Sequence, residues 1–198
     1  MITSPGAAGT GAALAFAGDD GAGSGPSMIA RGYDHALHDI TVAAWVKLDA
    51  AARGQQHVIA AHGTTGDRGW LMLVDERGRP VFRSTAKTGG AAISSAIGNR
   101  AIDDGNWHFV VGVRQALTPP VAGPGTGTGL VSIYVDGAAA GPAAFFDASA
   151  AVLGGSLFHV GRRPAGLPRA YWRGLIDELS VYPVALSSCD IAQLHDAP

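Results

Sequence analysis

The sequence is poor in the residues that mark several specialised classes of protein. A single cysteine among 198 residues excludes an internal disulfide framework and a cysteine-based zinc site. Charged residues make up only 15% of the chain, with 14 Lys and Arg against 16 Asp and Glu. Without a clustered excess of Lys and Arg, we expect no nucleic-acid partner. No apolar run approaches the roughly 18 residues of a membrane helix, so we expect no membrane insertion.

Glycine, proline and short apolar alternations are what the chain has in quantity. It contains 29 Gly and 11 Pro, and hydrophobic residues make up 47% of it. Between turn signals such as Glu76–Arg79 and Asp136–Gly137, roughly a dozen short segments alternate apolar and polar residues, as strands do. Within 39–48, for example, one face carries Ile40, Val42, Ala44 and Val46, and the other carries Thr41, Ala43, Trp45 and Lys47.

The spacing of these segments predicts an all-β fold, a two-sheet antiparallel jelly-roll sandwich with a short C-terminal helix. Only residues 187–196 have a helical pattern, and they begin with Ser187-x-x-Asp190, which is similar to a capping box. The stretch 115–129 is rich in Gly, Pro and Thr and predicts a long loop. Because no linker divides the chain, we expect one domain over residues 1–198. Trp70 and Trp107 are expected in its core.

The last predicted strand, residues 171–182, carries a carboxylate within an apolar alternation. Strict alternation would place Asp177 on one face with Leu175, Leu179 and Val181. An ionised carboxylate on an apolar face is costly unless it is paired, hydrogen-bonded or bound to a cation. The strand therefore suggests that Asp177 has a specific partner.

Five segments, taken in order, resemble the laminin-G-like jelly-roll modules of the concanavalin A-like lectin/glucanase superfamily. They are the opening strand 13–20, the Thr-Val-x-x-Trp-Val strand 40–47, the Trp-His strand 106–110, the Tyr-Val-Asp-Gly hairpin 133–137 and the closing strand 174–186. The resemblance implies two curved antiparallel sheets, with ligands on the concave face or the rim loops. It also implies an extracellular or cell-surface location, although no signal peptide is visible, because residues 6–18 lack a basic start.

The same resemblance implies a structural calcium ion. Calcium prefers six to eight oxygen ligands, which include carboxylates and backbone carbonyls. Asp19 and Asp20 lie in a Gly-rich loop after the first strand, and the family places the closing strand with Asp177 nearby. These three residues are the candidate metal ligands. The alternative is that Asp19 and Asp20 are solvated turn residues, while Asp177 accepts backbone N–H groups.

Two groups of residues are candidates for ligand binding. Trp45 shares a strand face with polar residues and could stack on a sugar ring, although large aromatic side chains are usually buried. Arg162, Arg163, Arg169 and Trp172 could meet an anionic or sugar ligand through bidentate guanidinium contacts and stacking. The alternative is a solvated rim on which Trp172 caps the edge of the core.

These features favour a non-catalytic recognition module for a carbohydrate or a protein surface, and leave the oligomeric state open. The alternatives are a polysaccharide-active enzyme on the same fold, either a glycoside hydrolase or a lyase, and a purely structural domain. The superfamily's glucanases carry a Glu-x-Asp-x-x-Glu strand, and this chain has none. Its adjacent acids Asp177 and Glu178 would point to opposite faces, whereas glycoside hydrolysis needs two carboxyl groups facing one bond.

Overall fold

A computed structural model describes residues 3–5, 7, 12–18, 28–30, 38–63, 69–85, 93–117, 128–147, 157–163 and 170–197. The described strands form two antiparallel sheets, and a short helix follows the last strand. This arrangement confirms the predicted all-β jelly-roll sandwich with a C-terminal helix. The metal candidates Asp19 and Asp20 and the ligand candidate Arg169 lie outside the described residues.

Within the described residues, one sheet has eight strands, in the order β1-β2-β14-β4-β9-β10-β11, and β12 also pairs with β10. Its strands are β1 (Thr3–Pro5), β2 (Ala12–Ala17), β4 (Ile40–Leu48), β9 (His108–Ala116), β10 (Thr128–Val135), β11 (Ala138–Ala139), β12 (Ala144–Asp147) and β14 (Arg173–Tyr182). The closing strand β14 lies between β2 and β4, so both ends of the chain contribute to this sheet.

The other sheet has six strands in the described part of the chain, in the order β3-β13-β5-β6-β7-β8. Its strands are β3 (Met28–Ala30), β5 (His57–His62), β6 (Gly69–Val74), β7 (Pro80–Thr85), β8 (Ile93–Ile97) and β13 (Phe158–Val160). A 3-10 helix, Ala50–Ala52, precedes β5. The turn at 76–79 joins β6 to β7, which confirms the hairpin that the sequence predicts.

The main core lies between the inner faces of the two sheets. The predicted apolar face of β4 is buried there, against residues such as Met72 and Phe82 of the six-stranded sheet. Each large aliphatic or aromatic side chain buried in this way contributes about 1.5–3 kcal/mol. Trp70 belongs to this core as expected, whereas Trp107 is only half-buried, so its predicted core position is wrong.

Arg114 crosses one end of the core and connects the two sheets. It extends from β9, its Nε donates to Ser84 Oγ of β7 at 3.0 Å, and another guanidinium nitrogen donates to the His38 carbonyl. Its guanidinium lies 4.2 Å from the centroid of the Phe146 ring. Burial lowers the pKa of Arg114 to about 10, and the charge of Asp39 opposes that shift.

The helix α1 (Ser188–Asp196) covers part of the outer face of the eight-stranded sheet. Ser187 and Asp190 form the predicted capping box, in which each side chain accepts the other residue's backbone N–H. Buried Ile191 packs on Phe109, and the Thr41 hydroxyl donates to the Val184 carbonyl at 2.8 Å. No helix among the described residues has the length and hydropathy to cross a membrane.

The closing strand β14 departs from the strict alternation that the sequence predicts. Its register against β4 shifts between Asp177 and Ser180, and Glu178 has a positive φ of 48°. This β-bulge adds one residue, so the side chains on its two sides follow opposite alternations. Leu179 and Val181 point into the core, but Asp177 pairs with Trp45 on the outer face. The prediction that these three residues share a face is therefore wrong.

Candidate ligand-binding face

Four residues lie in one line across the outer face of the six-stranded sheet. From β13 to β7, the strand pairing places them in the order His159, Ala61, Leu71 and Arg83. Their neighbours along the chain, Val160, Ala60, Met72 and Phe82, fill the core on the inner face. Because side chains alternate along a strand, this line faces outward. Strands about 4.8 Å apart give it a length of about 14 Å.

The floor between the two basic ends of this line is apolar. Val58, Leu73 and Val81 form a second line beside it, and together with Ala61 they pack into a small outer cluster. Ala170 is buried against this cluster, so part of the segment that precedes β14 lies over the outer face. Leu71 remains half-exposed next to it and offers an apolar surface to a ligand.

Arg162 and Arg163 enter the same region from the segment that follows β13. The Trp172 N–H donates to the Gly161 carbonyl at 2.8 Å, and the Gly161 N–H donates to the Ile59 carbonyl at 2.9 Å. These bonds bring the two ends of the segment 161–172 together at the edge of the sheet. Gly161 has a positive φ of 76°, and an added Cβ would lie 2.5 Å from the Phe16 ring. The turn that positions both arginines therefore requires glycine.

The four basic residues Arg83, His159, Arg162 and Arg163, called the basic cluster below, affect one another electrostatically. Burial lowers the pKa of the Arg163 guanidinium, the charge of Arg83 lowers it further, and Glu76 opposes both. Burial also lowers the pKa of His159, with further lowering by Arg162 and His62. The fold thus holds like charges close together in a partly desolvated place.

The Nε–H groups of the basic cluster differ from those of four other arginines within the described residues. The Nε atoms of Arg83, Arg162 and Arg163 and Nδ1 of His159 are buried and have no hydrogen-bond partner among the described residues. Four other arginines use this group: Arg53 donates to the Asp103 carbonyl, Arg79 to Asp75, Arg114 to Ser84 and Arg173 to Asp49. A buried donor without a partner is costly, so such groups call for an explanation.

The chemistry of this face is that of binding through hydrogen-bond donors. The six strands of the sheet contain neither Asp nor Glu. They therefore cannot supply the pair of carboxyl groups that glycoside hydrolysis uses. Guanidinium groups donate in a planar fork that matches oxyanions and hydroxyl groups.

The predicted ligand residues do not all lie on this face. Arg162 and Arg163 do, but Trp172 is fully buried in the main core, where its Nε1 donates to the Leu175 carbonyl at 3.2 Å. The prediction that Trp172 is an exposed stacking platform is therefore wrong. The apolar core on one side and the loop closure at Gly161 leave no face of its indole ring for a ligand.

Trp45 lies on the outer face of the opposite sheet. Its ring is half-buried and stacks on His195 of α1, with 5.4 Å between the ring centroids and 28° between the planes. Phe109 packs against it at 5.2 Å. The helix therefore occupies a surface on which a sugar could have stacked. A ligand role for Trp45 stays a prediction, and it would be separate from the basic cluster.

Both carboxylate oxygens of Asp177 accept backbone N–H groups, one near the chain's beginning and one in its own strand. Oδ2 accepts the Ala7 N–H and Oδ1 accepts the Glu178 N–H, each at 3.0 Å. Among the described residues, no group of three or more His, Cys, Asp or Glu side chains could hold a metal ion. Since Asp19 and Asp20 lie outside those residues, the calcium site stays a prediction. The described contacts of Asp177 match its alternative role as a backbone acceptor.

Sequence reasoning missed Arg83 and His159. Arg83 stands at an outward position of the alternating segment 80–84, which is a visible signal of a charged residue on a strand face. Nothing local connects it with His159, because that connection depends on the order β13-β5-β6-β7. The strand order is set by contacts between segments that are distant in the sequence.

Comparisons with known proteins agree with this geometry at the level of the fold. A family model described as Laminin_G_3, of the concanavalin A-like lectin/glucanases superfamily, matches residues 20–192. A search of curated proteins found no match.

Three solved structures illustrate the range of similar proteins. A heptameric SAP-like pentraxin from Limulus polyphemus has a TM-score of 0.63 and 16% identity, covering 92% of this chain and 80% of its own. Domain 4 of an extracellular arabinanase from Geobacillus stearothermophilus, solved with arabinotriose, has a TM-score of 0.61 and 17% identity. The match covers 98% of this chain and 80% of the arabinanase domain. The binding domain of botulinum neurotoxin DC, solved with rat synaptotagmin II, has a TM-score of 0.65 and 11% identity. The match covers 92% of this chain and 42% of the neurotoxin domain. At these identities the likeness shows the fold alone.

Proposed function

The chain belongs to the concanavalin A-like lectin/glucanase superfamily, and on that premise we propose that it is a non-catalytic recognition module for carbohydrate. The observation that carries the proposal is the set of buried, unused donors of the basic cluster beside the apolar floor of the six-stranded sheet. Ligand sites combine apolar surface with a few placed polar groups in this way.

A carbohydrate suits this combination of surfaces. Sugar hydroxyl and carboxylate oxygens accept hydrogen bonds from guanidinium groups, while the C–H face of a sugar ring can rest on an apolar side chain. Half-exposed Leu71 lies between the two basic ends of the line, where a ring would meet it. The arabinanase domain, which was solved with arabinotriose, supports the proposal because it has the same fold.

An enzyme on the same fold is the first alternative. The absence of Asp and Glu from the six strands disfavours a glycoside hydrolase centred on this face. A polysaccharide lyase could instead use histidine and arginine, and His159 with Arg162 is a pair of that kind. Release of new reducing ends or of unsaturated products from any bound polysaccharide would establish the enzyme.

A protein-binding or structural role is the second alternative. The neurotoxin binding domain, of which this chain covers 42%, was solved with a protein, synaptotagmin II. A module of this kind would bind no glycan and would retain a protein partner in a pull-down experiment.

A glycan array probed with the purified chain, with and without calcium, tests the proposal. We expect a defined set of glycans to bind without turnover. Leu71→Ala should then reduce the affinity for the bound glycan at least severalfold, because it removes apolar contact surface on the proposed face. The matched control is Leu130→Ala, a half-buried leucine on the outer face of the opposite sheet, which should bind as the unchanged protein does. Binding to no glycan, or equal losses in both variants, would contradict the proposal.

A further inference from the structure

The basic cluster points to the kind of carbohydrate. We propose that the ligand is an acidic glycan whose oxyanion, a carboxylate or a sulfate ester, is bound by Arg83 and Arg163, with Arg162 and His159 beside them. This inference rests on the proposed function and specifies it. Its starting point is the concentration of positive charge on a sheet whose six strands contain no carboxylate.

The charge of the basic cluster is poorly balanced by the part of the chain that the structure describes. Among the described residues, Glu76 is the one carboxylate that acts on Arg163, and Arg83 acts on it in the opposite sense. Holding guanidinium groups together where they are partly desolvated costs free energy. A bound anion would offset that cost, since it supplies the opposite charge and accepts charge-assisted hydrogen bonds from the guanidinium groups.

The unused Nε–H groups indicate the geometry of the bound anion. A guanidinium binds an oxyanion most strongly when Nε–H and a terminal N–H donate side by side. Arg79 donates to Asp75 with Nε at 3.0 Å and with a terminal nitrogen at 2.8 Å. Arg83 and Arg163 have the same donors, but their Nε–H groups have no partner among the described residues. An external oxyanion can therefore take the place that Asp75 takes for Arg79.

His159 adds a neutral donor at the far end of the line. It is 3% exposed, and its Nδ1 has no partner within the described part of the chain. A ring nitrogen of neutral imidazole can donate to an oxyanion or accept from a sugar hydroxyl, depending on the tautomer. The line from Arg83 to His159 is about 14 Å long, which exceeds the width of one sugar ring. An oligosaccharide therefore fits this face better than a monosaccharide.

Paired polymers that differ only in charge test the proposal. We would titrate the intact chain with polygalacturonate and with its fully methyl-esterified form, and in parallel with sulfated and unsulfated forms of one glucan. We expect at least one charged form to bind ten times more tightly than its neutral counterpart. The preferred pair identifies the oxyanion as carboxylate or as sulfate.

Variants of the basic cluster make the test specific to this site. Arg83→Met and Arg163→Met should each reduce affinity for the charged polymer at least tenfold. Arg83→Lys should also lose most of it, because lysine keeps the charge but not the fork. The control is Arg173→Met on the opposite sheet, which removes an exposed arginine and should change affinity less than twofold. A single cooperative melting transition, at a temperature no lower than that of the unchanged protein by more than a few degrees, would show that each variant is folded.

The outcomes separate this inference from the proposed function. Equal binding of charged and neutral polymers would overturn the acidic ligand and leave carbohydrate recognition standing. Loss of affinity in Arg173→Met as large as in Arg83→Met would overturn it too, since binding would then follow net charge. Binding to no polymer and to no glycan of the array would overturn both.

Discussion

If Arg83 serves a ligand, then replacing it by methionine should make the unliganded protein more stable. A buried donor left without a partner costs about 1–3 kcal/mol, and the Arg83 Nε is such a donor among the described residues. Methionine has a similar length and no polar hydrogen to satisfy, and it also removes the repulsion between Arg83 and Arg163. Because Arg83 is half-exposed, we expect a gain near the lower end, about 1 kcal/mol.

Urea unfolding and calorimetry would measure this gain. For a domain of this size, about 1 kcal/mol raises the melting temperature by about 2–4 °C. The slope of unfolding free energy against urea concentration should stay unchanged, since the variant and the unchanged protein expose nearly the same surface area on unfolding. The same variant should lose affinity for the acidic polymer, so stability and binding should move in opposite directions.

The same substitution four residues earlier supplies a control. Arg79 donates twice to Asp75, whose carboxylate is largely buried and also accepts the backbone N–H groups of Arg77 and Arg79. Arg79→Met should therefore lower stability by about 1–3 kcal/mol, because Asp75 loses its charged partner. If Arg83→Met is destabilised as much as Arg79→Met, then Arg83 has a structural partner. The argument that its Nε–H group is left free for a ligand is then refuted.

Three further predictions concern the core, the calcium site and pH. Gly112→Ala should lower stability by about 1–3 kcal/mol in urea unfolding, because its Cβ would lie 2.3 Å from a phenylalanine ring of the facing sheet; an unchanged midpoint would show that the ring moves freely. A chelator should lower the melting temperature, and Asp177→Asn should abolish that sensitivity. If the melting temperature responds to neither calcium nor chelator, and elemental analysis finds no metal, the calcium site is withdrawn. Hydrogen bonds from Asn106 lower the pKa of Asp104 to about 2 from 3.8, so its contribution is complete above pH 4 and is lost as pH falls toward 2. Asp104→Asn should therefore destabilise the protein at pH 6 more than at pH 3, and a pH-independent difference would contradict this.

The parts of the fold that local chemistry decides could be predicted from the sequence. The alternation along β4, the turn between β6 and β7 and the capping box of α1 depend on residues at most a few positions apart. The order of the five family-like segments then identifies the sandwich, and the family model confirms it.

The closing strand shows where local reasoning fails. One extra residue at Glu178 reverses the alternation of side chains beyond it. The residue types in this strand do not indicate that a glutamate has a positive φ. The premise that Asp177 shares a face with Leu179 and Val181 was wrong for that reason. The carboxylate instead fixes backbone at the chain's beginning, a contact between the two ends of the sequence.

The candidate site could be predicted only in part, because it depends on which arginines find partners inside the fold. Arg79 and Arg83 belong to the same hairpin and are the same residue type, yet one donates to Asp75 and the other faces outward with its Nε–H unused. The difference arises from strand register, which places Leu71 and not an acid opposite Arg83. Sites of function often keep such locally unfavourable arrangements, since a ligand completes them. For this protein, therefore, the arginines that the fold leaves unsatisfied are more informative than those it pairs.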